Sequence, residues 1–554
     1  MIDVLNVSFQ TQPYVEPLAA EQLVQVLADA GLDARLISTS LSGSMTDEDL
    51  EGRLDSQGVI FAGLNSVRDI LDQNSVERNR VASKLREIGF EGFIVALGHQ
   101  VTIDAEATLE ACPSLDAIIL GDADLAGRHL AHLIETGNAI AGVQRPAARE
   151  VAEEVDRTDR WLRQGLPATL ASRPYLDALL ETHPASRLAA VIETSRGCFH
   201  AQCTFCSTPV FRGASHEPMA VTRPVPLVVD EIRALVADRG LRRFIFEDDF
   251  FAAPTSAGIE RLEELSDAIL RLDTPIEFSM VLRSDALNDQ SVDVFRGLRS
   301  AGLRLIYLGV ESFSDSDLAF YNKGITLEQT LTGIDTAQKL GYAMDVAAPS
   351  RLKPGLLPFH PYTMLEDIAT QSSYLHRYAI TPIKMLAEVE LYPGTPLHAA
   401  ARADGLLQPG TRSGFRYKDA RAQQFQSVAR DALRTIYRPR KAIRNIEKTA
   451  AGFERDPKCV EPIKKIRKGL EAAFEAFYLD SLAACIGGCS QKPLDTMLGT
   501  MKTQVDGVLA SSDAADQVEA TWALVRDDVL TEYGIAPSHV EPVFFRPCWF
   551  PVVH

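Results

Sequence analysis

Cysteine is scarce in this sequence, with eight residues among 554, far fewer than a disulfide-rich secreted scaffold requires. No apolar run approaches the roughly 18 residues of a membrane span, and the chain opens on a strand-like segment without a basic n-region. These absences predict a cytoplasmic protein with no membrane partner. Basic residues are a minority too: 56 Lys and Arg face 75 Asp and Glu, a net charge of −19. This balance argues against a nucleic-acid partner.

The first part of the chain alternates between two hydrophobic periodicities. Short apolar runs at 2–7, 58–62, 93–97 and 116–120 alternate with helical patterns, notably at 16–31 and 76–89. This order predicts a parallel, doubly wound sheet over residues 1–138. Ligands of such sheets bind beyond the carboxyl ends of the strands. The candidate binding residues there are Asn65, Ser66, Gly98, His99 and Gly121.

The ligand of this first domain is constrained by two missing motifs. No G-x-G-x-x-G follows the first strand, so no sequence motif supports the binding of a dinucleotide. The loops A-G-L-N-S, L-G-H-Q-V-T and I-L-G-D-A-D resemble those of the N-terminal domains of cobalamin-dependent radical S-adenosylmethionine (SAM) enzymes. Since the Asp-x-His-x-x-Gly signature of cobalt ligation is absent, cobalt would lack a histidine unless His99 served. Arg68 has two interpretations. It is either a cation at the lower face of cobalt that disfavours binding of an axial donor there, or a surface charge at the start of a helix.

Three of the eight cysteines lie within nine residues, on a loop that follows a predicted strand at 189–194. Cys198, Cys203 and Cys206 suit a [4Fe–4S] cluster with one iron left open for a substrate. A structural zinc site normally needs four protein ligands, and no convincing fourth lies nearby. The remaining alternative is a chance group of buried structural cysteines.

The run R-G-C-F-H-A-Q-C-T-F-C resembles the cluster loop of radical SAM enzymes, although its first gap is one residue longer than the usual C-x3-C-x2-C. Three later segments also resemble motifs of that superfamily, at 244–250, 308–312 and 392–396. The resemblance implies a partial (β/α)6 barrel over 189–399. It implies SAM contacts from residues of the first two segments, namely Glu247, Asp248, Asp249, Gly309, Glu311 and Ser312.

Strand alternation predicts which side chains face the barrel interior. If Glu311 faces SAM, Tyr307 faces inward as well, and its phenol needs a partner that is either a substrate or a core group. Glu277 and Arg283 share a face of the preceding strand, and Arg283 is placed to pair with the SAM carboxylate. A buried inward Glu277 requires a cation or a metal. We therefore predict Glu277 as a ligand of the open iron that suppresses radical formation, or as a satisfied core group.

The remaining segments are a linker over 139–188 and a mainly helical C-terminal domain over 400–554. Cys485 and Cys489 lie in the latter, and two cysteines without further ligands are usually structural. The overall class is therefore α/β with a helical cap.

The whole layout resembles cobalamin-dependent (class B) radical SAM methyltransferases, most closely the tryptophan 2-C-methyltransferase type. That resemblance implies a methyl group passing from SAM through methylcobalamin to indole C2 by polar transfer. It implies that Tyr307 engages the indole N–H, and that an external electron donor reduces cobalamin. Three alternatives remain open: methylation through a 5′-deoxyadenosyl radical, a cobalamin-using isomerase or ring-forming enzyme, and a non-catalytic iron–sulfur protein.

Overall fold

The structure is a computed structural model, and it describes ten segments of the chain. They are residues 1–6, 18–38, 46–62, 71–136, 173–215, 218–345, 348–409, 414–452, 455–510 and 514–533. In these segments, no helix combines the length and apolar character that a bilayer crossing demands.

The first unit is built on a five-stranded parallel sheet with strand order β2-β1-β3-β4-β5. Its strands are β1 (Ile2–Asn6), β2 (Ala34–Ser38), β3 (Gly58–Ala62), β4 (Phe93–Leu97) and β5 (Ala117–Ile119). Its helices are α1 (Leu18–Asp29), α2 (Asp47–Glu51), α3 (Leu71–Glu87), α4 (His99–Ile103), α5 (Ala105–Ala111) and α6 (Ala123–Glu135). Two separate hydrophobic cores lie on the two faces of this sheet, as a doubly wound fold requires.

Burial explains why the strand predictions succeed in the centre of this sheet and fail at its edge. The runs 58–62 and 93–97 form strands with the predicted bounds, and all five residues of β3 are buried. Buried parallel strands read as continuous apolar runs, which makes them easy to recognise. The edge strand β2 was not predicted, since its sequence, ARLIS, carries an arginine and is only partly buried, whereas the other edge strand, β5, lies within the predicted run 116–120.

The second unit is a five-stranded parallel sheet with strand order β12-β11-β10-β9-β6. Its strands are β6 (Ala190–Ile192), β9 (Arg243–Phe246), β10 (Glu277–Arg283), β11 (Leu303–Glu311) and β12 (Arg351–Leu356). A small antiparallel pair, β7 (Ser195–Gly197) and β8 (Ala220–Thr222), follows β6. A single parallel bridge between Phe359 and Glu388 extends the curved sheet toward a sixth position.

Helices cover the outer face of this curved sheet and leave its inner face open. They are α7 (Pro174–Thr182), α8 (Thr208–Ala214), α9 (Val225–Arg239), α10 (Ser256–Leu270), α11 (Val292–Ala301), α12 (Asp315–Phe320), α13 (Leu327–Lys339), α14 (Leu365–Ser372), α15 (Tyr374–Arg377) and α16 (Pro396–Ala403). Ile306, Leu308 and Val310 of β11 join the core beneath these helices. The alternate residues 305, 307, 309 and 311 therefore face the barrel interior.

Four long helices follow the barrel: α17 (Ala420–Gly452), α18 (Glu461–Ile486), α19 (Gln491–Ala510) and α20 (Ala514–Tyr533). Their apolar faces are continuous with the core of the barrel. Cys485 is buried near the end of α18, and Cys489 packs at the margin of the same core.

The first unit packs against the β6 side of the barrel. Leu18, at the start of α1, lies against Val191 of β6 and Ile245 of β9. Gln22 of the same helix donates a hydrogen bond to Glu193, just beyond β6, at 3.1 Å. The first unit therefore closes the side of the barrel where the cysteine loop begins.

Candidate active site around the cysteine loop

The cysteine loop runs from Cys198 to Cys206, between the end of β7 and the start of α8. It has no regular secondary structure, and its three cysteines are partly exposed. A segment that follows α12 holds one side of it. Thr204 donates its backbone N–H to the Tyr321 carbonyl at 2.9 Å, and Asn322 donates from its side chain to the Gln202 carbonyl at 3.0 Å.

The chemistry of these thiols fits an iron–sulfur cluster. Burial raises the pKa of Cys203 to about 12 and also raises the pKa of Cys206. Such thiols stay protonated at neutral pH unless a metal replaces the proton. In the described segments, no three His, Cys, Asp or Glu side chains converge as ligands of one metal ion would. In a cubane cluster each cysteine binds a different iron, so the three cysteines need not converge on a single metal ion.

Oppositely charged side chains surround Cys203 at the carboxyl ends of the strands. Lys323 pairs with Glu311 at 2.7 Å, and both side chains are mostly buried. Arg283 pairs with Asp285 at 3.0 Å and lies 5.4 Å from the centre of the Phe199 ring. Lys323 and Arg283 both lower the pKa of Cys203 against the larger effect of its burial. The two cations suit the carboxylate group of SAM, and the carboxylate of Glu311 suits its ammonium group.

Backbone strain concentrates at the same place. Of four non-glycine residues with positive φ among those described, three surround the cysteines: Ala201 at 44°, Glu311 at 61° and Asn322 at 48°. Such conformations cost energy and persist where the surrounding structure enforces them, typically at functional sites.

Two of the acidic residues after β9 hold the backbone before the first cysteine. Asp248 is buried and accepts hydrogen bonds from the Thr194 N–H and hydroxyl and from the Ser195 N–H, at 2.8, 2.7 and 2.6 Å. Asp248 therefore holds the backbone before the cysteine loop, and its predicted contact with the SAM amino group stays a prediction. Asp249 accepts from the Gly197 N–H at 3.0 Å, and Glu247 is exposed. Their predicted contacts with SAM stay predictions.

Ser312 belongs to a buried network behind β11. Its hydroxyl contacts Asp317 and Gln371, each at 2.9 Å, and Gln371 also donates to Asp317. The Ser312 hydroxyl is thus engaged within the protein, and its predicted contact with SAM stays a prediction. Gly309 lies on the interior face beside Glu311 and Lys323.

Glu277 lies at the opposite end of the barrel from the cysteines. It is the first residue of β10, and about six residues at roughly 3.3 Å each separate it from Arg283. Its side chain is 44% exposed and pairs with Arg243 at 3.4 Å and Arg304 at 3.7 Å. The prediction that Glu277 ligates the open iron is therefore wrong. A ligand of the open iron would lie near the strand ends around the cluster, as predicted for Glu277, whereas this residue begins β10.

Tyr307 lies on the interior face at mid-height of the barrel. It pairs in register with Val281 of β10 and Lys353 of β12. The Lys353 ammonium lies 4.6 Å from the centre of the Tyr307 ring, a cation–π contact, and its side chain is exposed to the interior. Sequence reasoning missed Lys353, because an exposed lysine on an edge strand has no distinctive pattern.

The carboxyl edge of the N-terminal sheet meets the cysteine loop directly. Gly98 and Gly121 end adjacent strands with a φ of 109° each. The His99 ring stacks on Phe211 of α8 at 4.7 Å, and its Nε2 contacts the Ser207 hydroxyl at 2.9 Å. Burial lowers the pKa of His99. Its side chain therefore contributes to this interface, and its predicted place beside a cofactor stays a prediction.

Five buried charged residues, named here the bridging ion cluster, join the two units: Asp122, Asp124, Glu193, Arg196 and Arg212. Arg196 pairs with Glu193 at 2.6 Å, Asp124 at 2.8 Å and Asp122 at 3.2 Å. Arg212 pairs with Asp122 at 2.8 Å. Sequence reasoning missed this cluster, since its members lie far apart along the chain.

The N-terminal fold fits cobalamin held without a protein ligand on cobalt. The strand order reverses between β1 and β3, and ligands of doubly wound sheets bind at such a switch point. The only histidine beside the described carboxyl edge, His99, is occupied by barrel contacts. Asn65, Ser66 and Arg68 lie outside the described residues, so their predicted roles stay predictions.

Comparison with known proteins follows this geometry. Residues 192–347 match the model of the Radical SAM superfamily. This stretch of the chain is therefore similar to a radical SAM domain. An uncharacterized methyltransferase of Pyrococcus horikoshii is 26% identical over 378 residues, which cover 66% of this chain and 77% of the relative. Together, the domain and its methyltransferase relative identify the chain as an enzyme.

Solved structures confirm the predicted fold class. The cobalamin-dependent SAM radical enzyme OxsB, with aqua-cobalamin bound, matches with a TM-score of 0.65 at 15% identity, covering 96% of this chain and 80% of OxsB. The radical SAM methyltransferase TsrM of Kitasatospora setae, with tryptophan and a SAM analogue bound, matches with a TM-score of 0.57 at 16% identity. That match covers 75% of this chain and 79% of TsrM.

Replacing Cys198, Cys203 and Cys206 together by Ala should abolish bound iron after anaerobic reconstitution, because no other described residues can hold the cluster. Iron analysis and visible absorbance measure the loss. Cys489→Ala is the matched control and should keep its iron. Full iron content in the triple variant contradicts the assignment.

Asp248→Asn should fold and keep its iron, because an amide still accepts both backbone N–H groups and can donate to the Thr194 hydroxyl. Asp248→Ala leaves buried donors unpaired and should lower the free energy of unfolding by about 2–4 kcal/mol. Urea unfolding measures both. If Asp248→Asn instead abolishes SAM binding while its stability is unchanged, Asp248 contacts SAM after all.

Stability should also depend on pH through Asp248. Burial raises its pKa to about 7, so the folded chain binds this proton more tightly than the unfolded chain, where carboxyls titrate near pH 4. Its contribution to stability therefore falls as the pH rises from about 4 to about 7. Urea midpoints across this range should fall less steeply in Asp248→Asn than in the unaltered protein. Parallel pH profiles would exclude the shift.

Proposed function

We propose that this enzyme is a cobalamin-dependent radical SAM C-methyltransferase, which moves a methyl group from SAM to a carbon of a small molecule. One observation carries the proposal: the carboxyl edge of a doubly wound sheet, without a dinucleotide motif, packs directly on the cysteine loop of a radical SAM barrel. A cofactor bound at that edge lies beside the barrel mouth. The methyltransferase relative and the TsrM fold support this reading.

The residues that hold the cofactors are proposed from their contacts. Cys198, Cys203 and Cys206 hold a [4Fe–4S] cluster, while Arg283 and the Lys323–Glu311 pair bind the amino-acid end of SAM. When bound, the cluster supplies electrons and cobalamin supplies a cobalt that carries the methyl group. An external reductant in the cytoplasm would complete the system by reducing the cobalamin.

The interior wall at mid-height favours an aromatic substrate that carries an anionic group. Tyr307 presents a phenol and Lys353 an exposed ammonium 4.6 Å from its ring. Our best candidate is tryptophan, methylated at C2 by polar transfer. Its indole N–H would donate to the Tyr307 oxygen, and the phenolate form of Tyr307 would take the proton as C2 attacks, while its carboxylate would pair with Lys353. A nearby cation favours the ionised form of a phenol, whose ordinary pKa is near 10.

A second function has an observation of its own. The radical enzyme OxsB covers 96% of this chain, against 75% for TsrM, so the helical C-terminal part also has a counterpart in OxsB. Like OxsB, this enzyme would then use a 5′-deoxyadenosyl radical, to methylate an unactivated carbon or to rearrange its substrate. Because Glu277 lies away from the cluster, the polar mechanism lacks the residue that was predicted to suppress radical formation.

Anaerobic incubation of the reconstituted holoenzyme with SAM, a chemical reductant and tryptophan separates these functions. Methyl transfer predicts a tryptophan product heavier by one methyl group and no stoichiometric 5′-deoxyadenosine, both measured by mass spectrometry. Stoichiometric 5′-deoxyadenosine, with or without a methylated product, would favour the radical alternative.

Tyr307→Phe should lower kcat by about a hundredfold or more while leaving the iron content unchanged, because a positioned proton acceptor contributes at least this much. Phe keeps the ring that Lys353 contacts. Steady-state methylation assays measure the effect. An unchanged kcat would remove Tyr307 from the chemistry.

Lys353→Met should raise KM for an anionic substrate by about tenfold or more, because a charge-assisted hydrogen bond contributes about 1.5–3 kcal/mol. The amide of tryptophan, which lacks the carboxylate, is the matched control and should respond little. Equal effects on both substrates would contradict the assigned contact.

Cob(II)alamin bound to the protein should give an electron paramagnetic resonance spectrum without nitrogen superhyperfine splitting, since the His99 side chain is committed to Ser207 and Phe211. A nitrogen triplet that disappears in His99→Phe would show that the histidine leaves the interface to bind cobalt.

A further inference from the structure

Asp122 lies at the centre of the bridging ion cluster and belongs to the N-terminal unit. It follows β5 and directly precedes α6. One of its oxygens, Oδ2, accepts a hydrogen bond from Arg212 at 2.8 Å and forms an ion pair with Arg196 at 3.2 Å. All three side chains are at least nine-tenths buried.

The two arginines lie on either side of the cysteines. Arg196 belongs to β7, two residues before Cys198, and Arg212 belongs to α8, six residues after Cys206. Between them the loop has no ladder or helix of its own. Contacts at its two ends therefore contribute to how far apart those ends lie, and one carboxylate contacts both flanking arginines.

A neighbouring contact supports this arrangement from the same sheet edge. Ser207, the residue after Cys206, is hydrogen-bonded by His99 of the N-terminal unit at 2.9 Å. Asp124 and Glu193 complete the pairing of Arg196. Without the carboxylate of Asp122, Arg212 would lose its 2.8 Å partner in a buried setting, where an under-compensated charge forces rearrangement.

We infer that Asp122 is a positioning residue for the iron–sulfur cluster: it fixes both ends of the cysteine loop from the N-terminal unit. The inference rests on the cluster assignment within the proposed function. It means that a residue at the edge where cobalamin is proposed to bind sets the spacing of the cluster's thiolates. Retention of iron should therefore depend on the N-terminal unit.

The test compares Asp122→Asn with Asp116→Asn in the reconstituted full-length protein. Asp116 is a matched control, because it precedes β5 in the same unit and pairs with Arg86 at 2.6 Å, far from the cysteines. The measurements are the rate of iron release to a chelator and the electron paramagnetic resonance spectrum of the reduced cluster, with and without SAM. We expect Asp122→Asn to release iron at least fivefold faster and to show altered g values, while Asp116→Asn matches the unaltered protein.

Arg212→Gln provides the same test from the other partner, should Asp122→Asn yield no folded protein. Faster iron release in Arg212→Gln, with little further increase in the double variant, supports the inference, because the two residues then act through one contact. Release rates and spectra equal to those of Asp116→Asn overturn it. Since neither readout uses methyl transfer, loss of the proposed function in a separate assay would leave this result interpretable.

Discussion

The docking of the two units depends on charges that are buried together. Asp122, Asp124 and Glu193 contribute three carboxylates, and Arg196 and Arg212 contribute two guanidiniums, in an interface that excludes water. Burial alone lowers the pKa of Arg196, but the nearby carboxylates, including those of Asp122 and Asp124, outweigh this effect and raise the pKa overall. The arginine therefore stays charged. A buried charge deprived of its partner costs about 3–5 kcal/mol. The units therefore stay together, and the position of the cysteine loop follows from their contact.

This constraint aligns two sheet edges that would otherwise be independent. Both sheets are parallel, so each presents all its carboxyl ends at one edge. The contacts of His99 with Ser207 and Phe211 bring the N-terminal edge against the helix that follows the cysteines. Arg283 and Glu311 end their strands beside the same loop, and Tyr307 lies deeper on the shared interior face. A cofactor bound at one edge would therefore lie next to the other edge.

Strand faces could be predicted from the sequence, whereas positions across the fold could not. Alternation along β11 correctly placed Tyr307, Gly309 and Glu311 on the interior face, with Ile306 and Leu308 in the core. The same reasoning placed Glu277 on an interior face but put it near the strand ends around the cluster, whereas it begins its strand. The role of Asp248 was missed because its partners, Thr194 and Ser195, come from another strand end. Local patterns report periodicity, and only the assembled sheet decides which strand ends meet.

The central claim is that one shared site is formed by the N-terminal edge and the cysteine loop. Pulsed electron paramagnetic resonance on the anaerobic holoenzyme, with cob(II)alamin and a reduced cluster present together, measures the separation of the two paramagnets. The structure predicts strong dipolar coupling and faster relaxation of the cobalt signal than in protein without a cluster. A cobalt signal that relaxes identically with and without the cluster would contradict a shared site.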